Sequence, residues 1–489
     1  MFDYMQQYWP LAATGFIVVV TVVLSASVIL YKRNERAAIA WVGLILLSPI
    51  IGSMAYLLLG INRIRRRAER VRPHAKDQTV SPAISQTATA CTSATDAVNS
   101  GRLRTTGLHP ELTRLTDALA TNSLTSANSV VPLVNGDAAY PEMVQAIDRA
   151  TRSICFETYI FKYDDAGRDF VEALKRAVGR GVEVRVLVDG VGQVYSWPPI
   201  AHALQDAGIP QARSMYSLWP WRMPYLNLRN HQKILVIDGK TGFTGGMNIS
   251  AANRTETAPR RIVRDIHFRI EGPLVAHLTE AFADDWHITT KESLVGESWF
   301  PPLTGNGNVV ARGIPSGPHE SVERMRWIIA AAISEARQSL RIMTPYFLPD
   351  ETLAAGLRLA ALRGVEVDII IPAKTNLAFV TWAAMARLDE LIDVGCRIWL
   401  GPSPFNHSKL TLVDDCWALV GSSNWDPRSL ILNFEFNVEC QGTELVGQLD
   451  GVFEAELSQA RRLTLADLKS RNIVVKLRDG IARLFTPYL

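Results

Sequence analysis

The chain carries one pattern of reactive residues twice. Asn230-His231-Gln232-Lys233 leads into Ile234-Leu235-Val236-Ile237-Asp238, and Asn406-His407-Ser408-Lys409 leads into Leu410-Thr411-Leu412-Val413-Asp414. After equal gaps come Gly245-Gly246-Met247-Asn248 and Gly421-Ser422-Ser423-Asn424, so both copies obey H-x-K-x4-D-x6-G-x-x-N. The residues after each lysine are apolar and β-branched, which predicts a buried strand with His and Lys on one face, two residues apart. An imidazole beside an ammonium suits a phosphorus substrate. The ring can attack phosphorus or move a proton, while the amine holds the anionic oxygens. Asn248 and Asn424, beyond a glycine turn, can donate to the same oxygens. Asp238 and Asp414 end their strands, where they can brace the following turn or join the catalytic set. One such motif would read as a solvated strand edge; two with identical spacing point to catalysis.

The paired motifs resemble those of the phospholipase D superfamily, whose members carry two such His-Lys-Asp sequences. The resemblance implies that both halves meet at one site. It also implies that one His forms a phospho-histidine intermediate, that the other is general acid and then base, and that no metal or other cofactor takes part. By that analogy His231 is the nucleophile and His407 the acid-base, although the near symmetry of the repeats leaves their order open. Lys233, Lys409, Asn248 and Asn424 are then the groups that hold the phosphoryl oxygens. A neutral imidazole attacks well only if an acceptor steadies its far nitrogen. Asn433-Phe434-Glu435, downstream of the second motif, resembles the family's orienting Glu. Asp265, downstream of the first, is the matching carboxylate, after an extra stretch from Thr255 to Arg260.

These residues need two matching scaffolds, and the repeat does extend beyond the motifs. Helix Tyr140 to Thr151, strand Ser153 to Phe161, helix Gly167 to Gly179 and strand Val182 to Val188 are mirrored by Met325 to Ala336, Ser339 to Phe347, Asp350 to Leu362 and Val365 to Ile371. Arg180-Gly181-Val182-Glu183-Val184 recurs as Arg363-Gly364-Val365-Glu366-Val367. Alternating strands and helices predict an α/β fold with sheets covered on both faces. Two tandem phospholipase D-like repeats, packed face to face into one bilobal catalytic unit, follow from the resemblance.

Ahead of them lie two apolar runs, Leu11 to Tyr31 and Ala37 to Ile61, each of about the length that crosses a bilayer. The first lacks the basic start of a signal peptide and a second run follows it, so a two-helix transmembrane anchor is expected. Tyr8, Trp9, Tyr31 and Trp41 sit where an interfacial aromatic belt would place them. Lys32, Arg33 and Arg36 lie between the runs, whereas Arg63, Arg65, Arg66, Arg67, Arg70, Arg72 and Lys76 follow the second, so the catalytic unit is expected in the cytoplasm. That basic cluster can fix topology or hold anionic head groups. From Asp77 to Thr106 the composition is that of a flexible tether. The expected domains are therefore an anchor at 1–62, a basic juxtamembrane segment and linker at 63–108, a first repeat at 109–305 and a second, with a C-terminal helix, at 306–489.

Two stretches stand outside the repeat. Ser214 to Tyr225 is rich in aromatics and interrupted by Pro, a loop that can dip into a bilayer or cover the core. Arg461 to Leu489 mixes basic and apolar residues at helical spacing, fit for a membrane surface or for packing on the second repeat.

Composition sets few other bounds. The 489 residues, 48% hydrophobic and 20% charged, can bury a large core, and a net charge of +3 argues neither for nor against an anionic partner. Cys91, Cys155, Cys396, Cys416 and Cys440 show no CxxC pairing, so reduced, mostly buried thiols are expected. The remaining histidines, His74, His109, His202, His267, His277, His287 and His319, share no spacing and read as structural. Gly239 to Gly246 lacks the ending of a nucleotide P-loop.

Within the superfamily, an apolar anchor favours a lipid substrate over nucleic acid. The anchor with its Arg cluster, Asn230 to Lys233, Gly245 to Ile249, and Gly421-Ser422-Ser423-Asn424-Trp425-Asp426-Pro427-Arg428-Ser429 together resemble the bacterial cardiolipin synthases. Gln232 stands where that family often has Arg. The resemblance implies joining of two phosphatidylglycerol molecules into cardiolipin with release of glycerol, in the bacterial inner membrane, with membrane phospholipids as partners. The rivals are a membrane phospholipase D or a phosphatidyltransferase using water or another alcohol, a nuclease, and a tethered scaffold with a dead site.

Overall fold

The computed structural model describes residues 2–32, 35–60, 110–214, 228–257, 261–318 and 323–486, and divides into two compact units, Met1–Pro73 and His74–Leu489. The basic cluster Arg63 to Lys76, the tether to Thr106, and the aromatic loop beyond Ser214 lie outside the described residues, as do Cys91, His74, His109 and His319.

In the N-terminal unit, α1 (Phe2–Tyr31) contains a 24-residue apolar stretch, Tyr8–Tyr31. At 1.5 Å per residue it spans roughly 36 Å, enough for a hydrocarbon core of about 30 Å. The second run is not one helix. It divides into α2 (Glu35–Leu47) and α3 (Pro49–Leu59), which are roughly 20 and 17 Å long, so neither crosses a bilayer alone. Pro49 supplies no N–H at the break, and Gly52 lies against the Leu44 carbonyl so closely that a side chain there would collide with it. Residues eight apart in a straight helix are about 12 Å apart, so the chain bends sharply. Val28, Ile45 and Tyr56 form the core of this unit. Trp41 belongs to that core, its ring 5.3 Å from Tyr56, whereas Tyr8, Trp9 and Tyr31 are exposed as the aromatic belt requires.

The second unit begins with α4 (Pro110–Leu119). The first repeat runs β1 (Thr125–Val134), α5 (Asn135–Arg149), β2 (Ser153–Thr158), α6 (Asp165–Gly179), β3 (Glu183–Asp189), α7 (Ile200–Asp206), β4 (Gln211–Ser214), β5 (Ile234–Ile237), β6 (Thr241–Gly245), β7 (Val263–Arg264), β8 (Ile266–Glu271) and α8 (Leu274–Thr290). The second runs β9 (Val309–Ser316), α9 (Arg324–Glu335), β10 (Ser339–Met343), α10 (Glu351–Leu362), β11 (Glu366–Pro372), α11 (Ala378–Met385), α12 (Leu388–Ile392), β12 (Arg397–Gly401), β13 (Phe405–Asn406), β14 (Leu410–Val413), β15 (Trp417–Gly421), β16 (Glu435–Gln441) and α13 (Thr443–Leu457). β17 (Arg461–Leu463), α14 (Leu465–Lys469) and α15 (Ile473–Leu484) follow, so among the described residues the C-terminal segment is three short elements.

The recurring Arg-Gly-Val-Glu-Val has a local cause. Gly181 and Gly364, at φ 84° and 91°, end α6 and α10 in the left-handed region, and Val182 and Val365 donate back to the carbonyls of Ala177 and Ala360. The adjacent Arg180 and Arg363 donate to Ile147 and Ile333 at the ends of the preceding helices.

Fifteen of the described strands form one mixed sheet in the order β17-β12-β11-β10-β14-β15-β16-β9-β1-β8-β6-β5-β2-β3-β4, and β13 pairs with β7 in a separate two-stranded sheet. Outward from its middle, β9 to β12 repeat the order of β1 to β4. The repeats therefore join edge to edge, through the antiparallel pairing of β1 with β9, rather than sheet face to sheet face. They also share one core, in which α8 of the first repeat and α13 of the second pack on residues from both half-sheets. On β5, Ile234 and Val236 enter this shared core while Leu235 and Ile237 enter the core beneath α5 and α6. Four cysteines, Cys155, Cys396, Cys416 and Cys440, are buried free thiols.

Candidate active site

The bend before each histidine is set by its own sequence. The Asn230 side chain accepts from the Gln232 N–H at 3.2 Å, and the Asn406 side chain accepts from the Ser408 N–H at 2.9 Å, the same side-chain turn in both repeats. The backbone there crosses to the other repeat. His231 N–H donates to Phe434 O at 2.8 Å and Phe434 N–H to Arg229 O, while His407 N–H donates to Arg264 O at 2.7 Å and β13 pairs with β7. Each histidine segment is thus zipped to the segment bearing the other repeat's carboxylate.

The side chains follow. His231 Nδ1 lies 2.8 Å from Glu435 Oε2, and His407 Nδ1 lies 2.8 Å from Asp265 Oδ2. Both expected carboxylates reach a histidine, but crosswise: Glu435 of the second repeat orients the His of the first, and Asp265 of the first orients the His of the second. Where the carboxylate is ionised it only accepts, so the ring it meets donates from Nδ1 and presents Nε2 as the basic nitrogen. Lys233 Nζ donates to the His231 carbonyl at 2.6 Å, and Lys409 Nζ lies 2.8 and 3.1 Å from the two ring nitrogens of His407. Glycines make room for these contacts. Gly245 and Gly421 have φ of 148° and 147°, and a side chain on either would strike the neighbouring strand, within 2.7 Å of Ile266 O or 2.5 Å of Phe436 O.

Burial and the two ammonium groups control the charges. His231 is held well below its usual range by desolvation and by Lys233 and Lys409. His407 is lowered to about 4 by desolvation and Lys409, against the pull of Asp265. Desolvation lowers Lys233 to about 7 and Lys409 to about 8. It raises Glu435 to about 7, against the pull of Lys233 and Lys409. Groups from both repeats therefore act on one another across a single buried centre.

Asn248 and Asn424 take equivalent places beyond their glycine turns, where the segments they begin pair with the strands leaving β2 and β10 through the bridges Phe161 to Ile249 and Phe347 to Trp425. Asn248 Oδ1 accepts from the Ile160 N–H at 3.1 Å. Asn424 donates to Ser429 Oγ at 3.1 Å, and its buried Oδ1 has no hydrogen-bond partner among the described residues.

Asp238 and Asp414 lie just beyond the far ends of β5 and β14. Five residues of extended chain, roughly 16 Å, separate each from its lysine. Asp238 accepts from the backbone N–H groups of Thr151, Arg152 and Ser153, and Asp414 from those of Arg337, Gln338 and Ser339. They hold the turns that lead into β2 and β10.

Several neighbours carried no spacing signal. Tyr159 meets the His231 ring edge-on at 5.0 Å and lies 5.6 Å from Lys233 Nζ. Tyr346 meets His407 at 6.3 Å. Asp426, within the phrase Gly421 to Ser429, is buried and raised to about 7 by desolvation. Asp285 on α8 accepts from Asn230 at 2.7 Å and Gln232 at 3.0 Å, so Gln232 has a supporting role beneath the site.

Known proteins resemble this chain in sequence and fold. A family model described as "Cardiolipin synthase, PLD-like domain" matches residues 143–286 and 329–457, and one described as "Phospholipase_D-nuclease N-terminal" matches residues 19–60. A cardiolipin synthase of Alkalihalophilus pseudofirmus is 30% identical over 99% of this chain and 95% of its own. One from Staphylococcus aureus is 32% identical over 75% of this chain and 74% of its own. Among solved structures, phosphatidylserine synthase of Haemophilus influenzae matches the fold with a TM-score of 0.60 at 14% identity, covering 77% of this chain and all of the other.

Proposed function

We infer the reaction from one premise: this chain belongs to the cardiolipin synthase family of phospholipase D-like proteins. It is a phosphatidyltransferase that transfers a phosphatidyl group from one phosphatidylglycerol to another, giving cardiolipin and glycerol. The observation that carries the mechanism is the crosswise pair of imidazole–carboxylate contacts beside two buried lysines.

In the first step His231 Nε2 attacks the phosphorus of one phosphatidylglycerol. A P–N bond forms, the P–O bond to glycerol breaks, and His407 gives a proton to the departing oxygen. Lys233 and Lys409 hold the phosphoryl oxygens, Asn248 and Asn424 flank them, and Glu435 steadies the charge that grows on the His231 ring. In the second step His407 takes a proton from a glycerol hydroxyl of the second lipid as that oxygen attacks phosphorus. The P–N bond breaks, and both rings return to their starting state.

Low affinity for protons keeps His231 neutral and nucleophilic. It also leaves His407 unprotonated before substrate arrives. The anionic phosphodiester offsets the field of Lys409 and Lys233, so protonation of His407 accompanies binding. Burial of the site disfavours water, which would divert the intermediate to phosphatidic acid.

The chain is membrane-associated through its apolar N-terminal helix. The catalytic unit lies on the cytoplasmic side. The support is charge: Lys32, Arg33, Arg36 and the cluster from Arg63 to Lys76 lie C-terminal to α1. The bend between α2 and α3 favours a pair that re-enters and leaves on one face, which puts all of these basic residues on the same side.

Mass spectrometry of lipids from a cardiolipin-free host expressing this chain tests the reading. Cardiolipin appears with the parent chain and is absent with His407→Ala. Purified enzyme that turns phosphatidylglycerol into phosphatidic acid without cardiolipin would reject it.

A further inference from the structure

We propose that α15 is a docking helix that lays its exposed apolar stripe into an anionic bilayer surface and thereby turns the His407 side of the active site toward the lipid. The proposal rests on the reading that the substrate is a bilayer phospholipid.

The sequence of α15 builds two faces. At 3.6 residues per turn Ile473, Val474, Leu477, Ile481 and Leu484 fall within an arc of roughly 100°. All five are exposed, at 56 to 75% of their surface. The opposite face holds the helix on the protein. Ala482 is fully buried against Val380, Ala383 and Ala384 of α11, and Phe485 meets Phe379 at 5.7 Å. The described segment thus packs on the second repeat by one side only, and a stripe of this size left in water is the mark of a surface that is covered in use.

Charge identifies what covers it. Arg471, Lys476, Arg478 and Arg483 lie along the helix, whereas the acidic residue there, Asp479, is buried and held by Arg471 at 2.6 Å and Arg478 at 2.7 Å. Exposed Lys476 and Arg483 border the stripe along one side. An apolar strip edged with basic residues complements a membrane with anionic head groups, to which each nearby Lys or Arg is attracted. Phosphatidylglycerol, the substrate, is such a lipid.

The helix is also tied to the reacting groups. Arg478 covers the Trp382 ring of α11 at 4.4 Å. Tyr346 packs on the same α11 cluster, donates to Asn376 Oδ1 at 2.6 Å just before α11, and meets the His407 ring. Exposed Leu377 and Phe379 lie between. A bilayer that receives α15 therefore receives the α11 edge beside His407, where the second lipid must present its hydroxyl.

The test uses the full chain in nanodiscs, with a photoreactive residue replacing Leu477. Discs rich in phosphatidylglycerol are compared with discs of phosphatidylcholine. Crosslinks form to lipid, several-fold more in the anionic discs, and the double variant Leu477→Asp/Ile481→Asp lowers kcat/KM for phosphatidylglycerol in bilayers roughly tenfold while leaving it within about twofold in detergent-mixed micelles. Crosslinks to a second copy of the chain, or none to lipid, overturn the proposal, as does unchanged bilayer kinetics in the double variant. Because crosslinking needs no turnover, lipid crosslinks without cardiolipin would sink the reaction and spare the docking, whereas cardiolipin without lipid crosslinks would do the reverse.

Discussion

Glu435→Gln isolates the crosswise contact. The two side chains have the same shape, and Glu435 is fully buried between His231 Nδ1 at 2.8 Å and Asn433 Nδ2 at 3.0 Å, so packing survives while the charge is lost. As the P–N bond forms, the ring becomes cationic and faces that carboxylate. Two unit charges about 4 Å apart at an effective dielectric of ~20 attract by about 4 kcal/mol, and 1.36 kcal/mol is tenfold in rate, so kcat falls on the order of 10³-fold. KM and thermal stability change little. Labelled phosphatidylglycerol followed by an alkaline quench reads the phospho-histidine directly. Since Glu435 serves His231, Glu435→Gln should fail to accumulate label, as should His231→Ala. Asp265→Asn should resemble His407→Ala, both retaining slow labelling. A fall in kcat of less than tenfold, or Asp265→Asn behaving like His231→Ala, would refute the pairing.

Alkaline pH should remove activity without unfolding the protein. With Lys233 lowered to about 7 and Lys409 to about 8, kcat/KM falls as pH rises through that range, and Lys409→Arg, though slower, loses the Lys409 part of the fall. Both folded values lie below that of the unfolded chain, which therefore binds more protons above about pH 7, so these lysines make stability rise with pH up to about 10.5. A parent profile flat to pH ~9.5 contradicts this assignment. Asp238→Ala and Asp414→Ala should each cost about 3 kcal/mol, from lost backbone contacts at positive φ, and leave kcat of the folded enzyme unchanged. Thermal melts and kinetics separate the two effects, and a large loss of kcat at unchanged Tm would place these residues in the catalytic set. Glu35→Cys, in a chain lacking Cys91, should react with an impermeant thiol reagent from the cytoplasmic side if α2 and α3 re-enter; reaction from the opposite side would make them a full crossing.

Spacing alone exposed the two motifs, because strand alternation and turn geometry tie His, Lys, Gly and Asn to fixed offsets. The β-α-β series was legible for the same reason, its helix ends written in Arg180-Gly181 and Arg363-Gly364. Tertiary facts were not. Nothing in the order of residues says that Glu435 faces His231 rather than His407, since the pairing depends on segments that meet only after both repeats are folded. The bend at Ser48-Pro49 was present in the sequence, but apolar length outweighed a single proline lacking an N–H. Asp238 and Asp414 share the motif because the fold repeats, and their bonds to the turns before β2 and β10 are what that repetition serves. Tyr159 and Tyr346 sit one position out of register in the matching segments that leave β2 and β10, and Asp285 comes from α8, so only their contacts reveal them.

The exchange of carboxylates between repeats has a consequence for how this enzyme can fail. A molecule truncated between its halves would own a ring without its counter-ion and a counter-ion without its ring, and no residual slow hydrolase would survive in either fragment. Lesions far apart along the gene can thus disable the same imidazole, and substitutions that look unrelated by position would share one biochemical signature.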